Sequence, residues 1–407
     1  MRTQFWFELK KQPRWLYGLW FLVLLIGLGS IMLTRELNPH REGIGYTDRY
    51  GNEQIYWNGR TMASERKLLR FDIRDTLARA KKTQDGQTTS ASEEGSQLNQ
   101  QLLGALDRKD YLTFNRITLK MVADSQLALY LPLRVSDLRL GIQSDNFGEQ
   151  AMTLRLQYMV KHRINRLITL DERGSVLGNL AEGLGFDRRI ATVPYLAWLL
   201  LGITIITFAV SFSLDQRGKT SALMHAAPLN SPTIALIRGL VTLLLLNVVL
   251  LAVFACVLLV MWVIPGHEFG FWQFPLFTGA VDGPQLLLLS HALFKYWGLY
   301  NLWALTISGL VYLLRGLSQN GLLLSIVPLI LVFGGPLHWL SMLPPDLAKV
   351  LPSSYTALDQ IVMVTGDYAN TTFGQVALLL GLWAIGLWLV GSVVTGLVHK
   401  LFVQSAG

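Results

Sequence analysis

The sequence predicts an all-α polytopic membrane protein, with six transmembrane helices and a mainly helical extracytoplasmic domain inserted between helices 1 and 2. Two observations lead to this fold class. The chain has 407 residues and is 51% hydrophobic but only 15% charged, whereas a soluble domain carries about 25% charged residues. The charge is also concentrated, since 24 of the 35 Lys and Arg residues and 20 of the 27 Asp and Glu residues lie in 34–192. The rest of the chain is nearly uncharged, which is typical of membrane-embedded segments.

The net charge of +8 does not indicate nucleic-acid binding. Acidic and basic side chains are interspersed through 34–192, and no run of Lys and Arg with aromatic residues forms a stripe. The single cysteine, Cys256, lies inside an apolar run and excludes an intrachain disulfide. We expect it to be a packed core thiol.

The N-terminal segment is basic and amphipathic. Phe5, Trp6 and Leu9 share one side of a helix, and Glu8 and Lys11 fall away from that side. This pattern predicts a helix that lies in the membrane interface.

Pro13 cannot continue this helix and disfavours helical structure at the residue before it, so we expect an elbow there. The apolar run Trp15–Leu33 has 19 residues, roughly 28 Å as a helix, which is enough to cross the hydrocarbon. No small-residue cleavage site clearly follows it, so 1–33 is interpreted as the elbow plus an uncleaved first span instead of a signal peptide.

The insert 34–192 has the alternation and turns of soluble structure, and we expect it to be mainly helical. Ser64 is a possible N-cap of its first helix. The predicted parts are a short hairpin in Gly43–Gly59, a helix over Ser64–Lys82, a polar mobile loop over Thr83–Gln97, and helical regions over 102–130 and 149–167.

The remaining part, 193–407, contains five further apolar runs that are long enough to span. With six spans both termini share one side of the membrane. The segments on that side carry nine basic residues, against two in the short segments on the other side. The positive-inside rule counts short loops, so both termini are predicted to be cytoplasmic and 34–192 extracytoplasmic, in a cell membrane. The runs are Val193–Phe212, Leu240–Ile264, Tyr296–Leu314, Leu322–Leu340 and Val376–Val398.

A polar, basic loop, Ser211–Arg238, separates the second and third spans. Within it an apolar face recurs at i, i+3, i+4 and i+7, which predicts a short surface helix that ends before Pro228. Such a helix either rests on lipid or contacts a partner, and the spacing alone favours neither. The face consists of Thr220, Leu223, Met224 and Ala227.

The sequence around Gly218 is not a nucleotide site. Gly218-Lys219-Thr220 resembles the end of a phosphate-binding loop, but the glycine required five residues earlier is replaced by Ser213. No cluster of metal ligands or catalytic groups is present in the sequence pattern, since His267-Glu268 lacks the second histidine of a zinc helix. The chain is therefore not expected to be an enzyme.

The order of residues in this loop resembles the pattern of ABC-2-type transporter permeases: an acidic residue, then glycine, leucine, proline and a basic residue that opens the next span. The start of the chain resembles the N-terminal elbow of that family, through Glu8, Lys10, Lys11 and Arg14. The loop residues are Asp215, Gly218, Leu223, Pro228 and Arg238.

This resemblance covers 1–33 and 193–400 and implies a permease that pairs with a separate cytoplasmic ABC ATPase, which would hold the ATP and Mg²⁺. The helix in 213–228 would then be the coupling helix, seated in the ATPase through Leu223 and Met224. The family also implies a homodimer or a heterodimer with a second permease. Residues 34–192 match no family pattern.

The segment 341–375 contains the apolar stretch Ala357–Val364, which is too short to cross the membrane. It predicts either short helices that dip back into the membrane, as the ABC-2 resemblance implies, or a surface loop with one buried helix. Gly334-Gly335-Pro336 and Pro328 are expected to kink or break the fifth span.

Three functions follow from these features. The first is the membrane half of an ATP-driven exporter of an amphipathic substrate such as a lipid, peptide or drug-like molecule, which fits spans with almost no charge. The second is a mechanotransmitter, in which ATP hydrolysis inside moves the outer domain; proteins of that class typically have four spans. The third is a membrane-anchored sensor or immunity protein that uses 34–192 and needs no ATPase.

Overall fold

A computed structural model describes most of the chain in atomic detail, and the following statements refer to those residues. The described ranges are 2–37, 43–47, 53–57, 62–83, 90–132, 145–167, 175–186, 194–217, 230–263, 268–279, 283–318 and 320–405.

The described residues are mostly helical, with two small antiparallel hairpins. The hairpins pair β1 (Gly43–Thr47) with β2 (Glu53–Trp57), and β3 (Pro275–Thr278) with β4 (Gln285–Leu288). The helices are α1 (Arg2–Lys11), α2 (Arg14–Leu37), α3 (Met62–Thr83), α4 (Ser90–Asp107), α5 (Tyr111–Ala123), α6 (Asp145–Lys161), α7 (Val176–Gly183), α8 (Tyr195–Arg217), α9 (Ser231–Val263), α10 (Leu289–Leu317), α11 (Gly321–Val332), α12 (Pro345–Val350), α13 (Leu358–Met363) and α14 (Phe373–Ser405).

Four of the described helices are long and apolar enough to cross a membrane, which fits a polytopic membrane protein. They are Tyr195–Leu214, Ser231–Val263, Leu289–Leu317 and Phe373–Leu397. The predicted first span is bent by 65° against the N-terminal helix at the expected elbow, and this pair counts as a fifth candidate if it is taken as one span.

The predicted fifth span does not form one continuous helix. Within Leu322–Leu340 the helix α11 ends at Val332. Only Phe333 separates this end from the turn at Gly334-Gly335-Pro336. Pro328 lies inside α11 without ending it. A Cβ on Gly334 would come within 2.4 Å of the Trp339 ring, whose Nε1 donates to the Ile330 carbonyl at 2.9 Å. The break predicted at this glycine pair is therefore confirmed.

The chain divides into two compact units. The first comprises Met1–Gly27, Thr192–Cys256 and Leu293–Gly407, and the second comprises Leu28–Ala191 and Val257–Ala292. The predicted division into 1–33, 34–192 and 193–407 follows membrane sides, so it stays a prediction.

In the first unit, small residues let the helices approach closely. A Cβ on Gly239 of α9 would lie 2.9 Å from Ser308 Oγ on α10, and one on Gly391 of α14 would lie 2.8 Å from the Tyr312 ring. Tyr312 stacks on Trp388 with ring centres 4.8 Å apart. Because apolar lipid provides no hydrophobic drive, such close packing is what holds membrane helices together.

The second unit has a helical core formed by α3 to α6. One face of each helix is buried, and the most buried side chains are Leu69, Ile73, Leu102, Leu106, Phe114, Met121 and Met159. The Asn99 amide donates to the Gly95 and Tyr130 carbonyls at 2.9 and 2.8 Å. This unit also contains the β3–β4 hairpin, because Arg155 of α6 lies 4.3 Å from the ring centre of Phe277.

The structure corrects several local predictions in 34–192. The hairpin in Gly43–Gly59 and the helix over Ser64–Lys82 are confirmed, but the helix begins at Met62, so Ser64 lies within it and is not the N-cap. Ser90 to Gln97, predicted as mobile loop, forms the first turns of α4, because small residues such as Ser92 and Gly95 pack inward there. Residues 84–89 lie outside the described part.

Candidate functional site

The first unit contains a buried ion pair between Glu8 of α1 and Arg238 of α9. Both side chains are 0% exposed. Arg238 Nε donates to Glu8 Oε2 at 2.9 Å, and Arg238 Nη2 donates to Glu8 Oε1 at 2.9 Å. The two parallel hydrogen bonds make this a bidentate pair, the strongest geometry available to Arg and a carboxylate. The N-terminal helix is therefore fixed to α9 by a charged, bidentate contact.

Glu8 belongs to a polar stripe on one side of the N-terminal segment. Gln4, Glu8 and Gln12 follow each other at four-residue spacing, which places them on one helical face. Gln4 Nε2 donates to Glu8 Oε1 at 3.2 Å. Trp6 and Phe7, on another face, are 51% and 48% exposed. This arrangement suits an interfacial helix with aromatic residues toward lipid and polar residues toward the protein.

A second set of hydrogen bonds connects the elbow to α8 and, through α8, to α9. The Tyr17 hydroxyl donates to Gln12 Oε1 at 3.0 Å, and Gln12 Nε2 donates to Ser211 Oγ at 3.0 Å. Ser211 Oγ lies 2.8 Å from Thr242 Oγ1, in hydrogen-bond contact. Buried polar groups need such partners, because an unpaired one costs about 1–3 kcal/mol.

These residues lie at both ends of the chain segment that separates α8 from α9. Ser211 is in the last two turns of α8, while Arg238 and Thr242 are in the third and fourth turns of α9 and share a face. We call Glu8, Gln12, Tyr17, Ser211, Arg238 and Thr242 the polar network.

The polar network and Arg315 gather at the same end of the first unit. The Arg315 guanidinium, in the last turn of α10, lies 6.0 Å from the ring centre of Phe212, the neighbour of Ser211. At the opposite end of α10, Lys295 Nζ lies 5.5 Å from the Phe373 ring centre. Arg238 and Arg315, two of the basic residues that the charge count assigned to one membrane side, therefore lie at the same end of the unit.

The structure describes only part of the predicted coupling site. Gly218, Leu223, Met224 and Pro228 lie outside the described residues. Asp215 lies in the last turn of α8. No new helix begins at residue 213, where the predicted coupling helix 213–228 was expected to start, because residues 213–217 belong to α8.

The predicted elbow residues differ in their surroundings. Glu8 is buried in the ion pair, Lys10 is exposed, and Lys11 Nζ lies 5.9 Å from the ring centre of Phe7. Among the described residues, no group of three or more His, Cys, Asp and Glu side chains could hold a metal ion.

Sequence reasoning located Arg238 but missed its partner. Arg238 lies two residues before the predicted span Leu240–Ile264 and is 0% exposed, so it is a buried charge at the edge of an apolar run. The four-residue spacing of Gln4, Glu8 and Gln12 was a signal that α1 turns a polar face to something other than lipid. It could not name the partner, because the two charges are 230 positions apart.

A second buried carboxyl lies in the segment before α14. Asp359, in the first turn of α13, is 5% exposed, and its Oδ1 has no hydrogen-bond partner among the described residues. Burial raises the pKa of Asp359 to about 6, although hydrogen bonds from its own backbone and that of Gln360 oppose the shift. The buried helix expected in Ala357–Val364 is present, and the choice between a re-entrant segment and a surface loop stays open.

Comparisons of the chain with protein-family models, with curated proteins and with solved structures find no match.

Proposed function

We propose that this chain is the membrane permease subunit of an ATP-binding-cassette exporter of the ABC-2 type. The observation that carries the proposal is the polar network, which joins both flanks of the 218–229 segment to the N-terminal helix. A partner that pushes on this segment would move α8, α9 and α1 together. The residue pattern of Asp215, Gly218, Leu223 and Pro228 agrees with a segment that seats in an ATPase.

The energetics of the ion pair support coupled movement. Removing one partner of a buried ion pair costs about 3–5 kcal/mol because the other charge is left uncompensated, and moving the partners apart inside the protein would leave both charges uncompensated. The helices that carry Glu8 and Arg238 therefore resist moving apart under a load on the loop. A device that converts ATP hydrolysis into helix movement needs such a stiff connection between its cytoplasmic contact and its spans.

In this proposal ATP and Mg²⁺ bind to the separate ATPase, and the permease works as a homodimer or heterodimer in the cell membrane. Six crossings require the bent pair α1–α2 to supply the first and α11 with the turns after it to supply the fifth. Both termini are then cytoplasmic, and 34–192 is outside. The apolar spans suit an amphipathic substrate.

The test is association with the ATPase. The tagged full-length protein is purified from its native membrane, and copurifying proteins are identified by mass spectrometry; the proposal expects an ABC ATPase in stoichiometric amount. Leu223→Ala/Met224→Ala removes apolar side chains worth on the order of 3–4 kcal/mol if fully buried. We expect association more than about a hundredfold weaker.

Ser221→Ala lies on the opposite face of the predicted helix and is the matched control, with mild effect expected. Membrane insertion should be normal for both variants, because neither touches a span. Absence of any ABC ATPase from the purified protein would refute the proposal. Retained association in the double variant would instead mean that the helix lies on lipid.

A mechanotransmitter is the second candidate, favoured by one observation: four described helices meet the length and composition of a span. In that function the ATPase is also required, but no substrate crosses and the movement is delivered to the outer domain. The two candidates differ in the number of crossings, six against four, and the labelling experiment at the end of the Discussion tests this number at α11.

A further inference from the structure

A cavity of about 250 Å³ lies within the second unit and collects basic side chains from separate parts of the chain. The contributing segments are the start of α3, the turn between α4 and α5, the segment after α6 and the segment before β3. Its polar lining consists of Arg66, Lys109, Tyr111, Asn165, Arg166 and Glu268.

The cavity has an excess of positive charge. Three of its lining side chains are cationic and one is anionic. Arg166 Nη1 lies 3.2 Å from Glu268 Oε2, so one cation is paired with the one carboxylate of the lining. The Arg66 guanidinium lies 6.0 Å from the ring centre of Tyr111. Arg66 and Lys109 thus remain as positive charges without a carboxylate in the lining.

Two polar atoms of the lining are buried and have no hydrogen-bond partner among the described residues. They are Arg66 Nε and the Tyr111 hydroxyl, and the Tyr111 side chain is only 8% exposed. Leaving such groups unpaired costs about 1–3 kcal/mol each, and more for charged groups. An unpaired guanidinium nitrogen and hydroxyl in one cavity are hydrogen-bond donors for an acceptor ligand.

The walls of the cavity are held by hydrogen bonds from outside it. Asn165 Oδ1 accepts from the Leu112 amide at 3.1 Å, and Asn115 Nδ2 donates to the Arg166 carbonyl at 2.8 Å. The Val176 amide donates to the Glu268 carbonyl at 3.0 Å. These bonds hold the Asn165 side chain and the backbone at 166 and 268 in place, so this part of the site is preorganised.

Lys109 has an unusual backbone conformation for its position at the cavity. Its φ is 58°, in the left-handed region that glycine adopts most easily. Lys109 lies two residues after the last residue of α4. Its amide donates to the Leu106 carbonyl at 3.2 Å and the Asp110 amide donates to the Ala105 carbonyl at 2.9 Å, which is the hydrogen-bond pattern of a left-handed helix C-cap. Glycine is the residue that such a cap accommodates best, so the lysine can be replaced by glycine without disturbing this turn.

We propose that this cavity binds a phosphate group, either as free phosphate or as the headgroup of a phosphate-bearing lipid. Guanidinium groups match phosphate oxygens in geometry, and an ammonium and a hydroxyl add further donors. The volume is below the about 300–1,000 Å³ of sites for drug-sized ligands, so the cavity suits a single small group. The proposal does not depend on the permease function.

The experiment measures thermal unfolding of the full-length protein in a neutral detergent as ligand is added, because a ligand that binds only the folded state raises the midpoint. One arm uses inorganic phosphate against chloride at equal ionic strength. The other uses short-chain phosphatidic acid against the matching diacylglycerol, which lacks the phosphate. We expect the phosphate compound to raise the midpoint in at least one arm.

Lys109→Gly is the decisive variant because it removes the charge and relieves the left-handed backbone, so its stability without ligand should not fall. One lost charged hydrogen bond predicts roughly tenfold weaker binding. Arg163→Gly is the matched control. Arg163 also has a positive φ, of 53°, in the same unit but does not line the cavity, so affinity should stay within about twofold.

The two arms identify the source of the group. Stabilisation by both compounds at similar concentrations supports free phosphate, and stabilisation by phosphatidic acid at far lower concentration supports a lipid headgroup. If neither compound raises the midpoint above its control, the proposal is overturned. It is equally overturned if Lys109→Gly and Arg163→Gly bind phosphate alike.

Discussion

Arg238 is a charged residue of an apolar helix. Its burial is tolerable because both oxygens of the Glu8 carboxylate accept hydrogen bonds from its guanidinium. The guanidinium has two donors on the Glu8 carboxylate, at 2.9 Å each. Lysine could supply the charge but not the two-pronged geometry. The pair therefore connects two specific helices. Removing one partner should lower the free energy of unfolding more than removing both partners together.

The first prediction concerns this difference. Glu8→Gln or Arg238→Gln alone leaves one buried charge unpaired and should lower the free energy of unfolding by about 3–5 kcal/mol. Glu8→Gln/Arg238→Gln removes both charges and should cost clearly less than the two single changes together. The free energies form a double-mutant cycle measured by unfolding in detergent. Lys10→Gln, an exposed position on the same helix, is the control; single variants as mild as this one would contradict the prediction.

The second prediction is a pH dependence caused by Asp359. Its carboxyl has a pKa of about 6 in the folded protein, against an ordinary value of 3.8. The folded state thus binds the proton more tightly, so this group's stabilisation is complete below pH 3.8 and is lost as the pH rises through 6. The loss is on the order of 2–3 kcal/mol.

Asp359→Asn should remove this loss and be more stable than the wild type at pH 7.5. The measurement is the unfolding midpoint at pH 5 and pH 7.5 for both proteins. Asp346→Asn changes an exposed carboxyl of α12 and should keep the wild-type profile. A profile of Asp359→Asn that is parallel to the wild type would show that another group titrates.

Among the helices, the contact between α10 and α14 depends on the absence of a side chain at one position. A Cβ at Gly391 would meet the Tyr312 ring at 2.8 Å and the Leu313 backbone at 3.3 Å, whereas Gly386 on the same helix has nothing within 4 Å. The third prediction is that Gly391→Ala lowers the free energy of unfolding by about 1–3 kcal/mol through overpacking.

Gly386→Ala is the matched control for Gly391→Ala, since it makes the same chemical change on the same helix. It should be neutral, or stabilising by up to about 1 kcal/mol from helix propensity. Unfolding midpoints in one detergent compare the two variants. Equal destabilisation by both would mean that backbone flexibility of α14 matters and not its contact with α10.

Hydrophobic runs located the four long apolar helices but did not give the ends of these helices. The third apolar run begins at Leu240, whereas α9 begins at Ser231, because a helix continues in the polar region beyond the membrane if its backbone bonds are satisfied. A local signal was available: Pro232 near the helix start and Asn230, whose carbonyl accepts the Ile234 amide at 3.2 Å. The polarity of the sequence therefore predicts where a helix leaves the membrane but does not predict where the helix ends.

The incorrect loop prediction at the start of α4 has a different cause, a long-range contact. Ser90 to Gln97 is rich in small polar residues, a composition typical of mobile loops. Asn99 and Gly95 are nevertheless buried in this helix, and a Cβ at Gly95 would meet the Tyr130 side chain at 2.7 Å. That contact depends on a partner 35 positions away, which composition alone does not contain.

At the scale of the whole molecule, the second unit is built from two distant parts of the chain. Residues 28–191 pack with 257–292, and Ser175 and Glu268 form a parallel bridge between them. Sequence reasoning treated the segment after α9 as a short outer loop. Because it supplies Glu268 to the cavity and Phe277 to Arg155, this segment completes the unit that the insert begins.

The last prediction is the number of crossings, tested by labelling single cysteines with an impermeant thiol reagent in intact cells. The background is Cys256→Ala, since the native thiol is free and half-buried. With cytoplasmic termini, Ser90→Cys should react and Ser405→Cys should not. Equal reaction at both positions would contradict the charge count of nine against two basic residues.

A second pair of cysteines, Ser318→Cys before α11 and Asp346→Cys after it, tests that helix. Its 12 residues reach roughly 18 Å, whereas the hydrocarbon is about 30 Å thick. Six crossings therefore require the turns between α11 and α12 to lie within the membrane, buried against protein so that their backbone groups are satisfied. Trp339 Nε1 on the Ile330 carbonyl and Ser353 Oγ on the Leu331 carbonyl are contacts of this kind. Reaction at Asp346→Cys but not at Ser318→Cys supports the crossing. With the N-terminus inside, residue 318 is cytoplasmic, so a lack of reaction at both positions removes the crossing by α11 and favours the mechanotransmitter over the exporter.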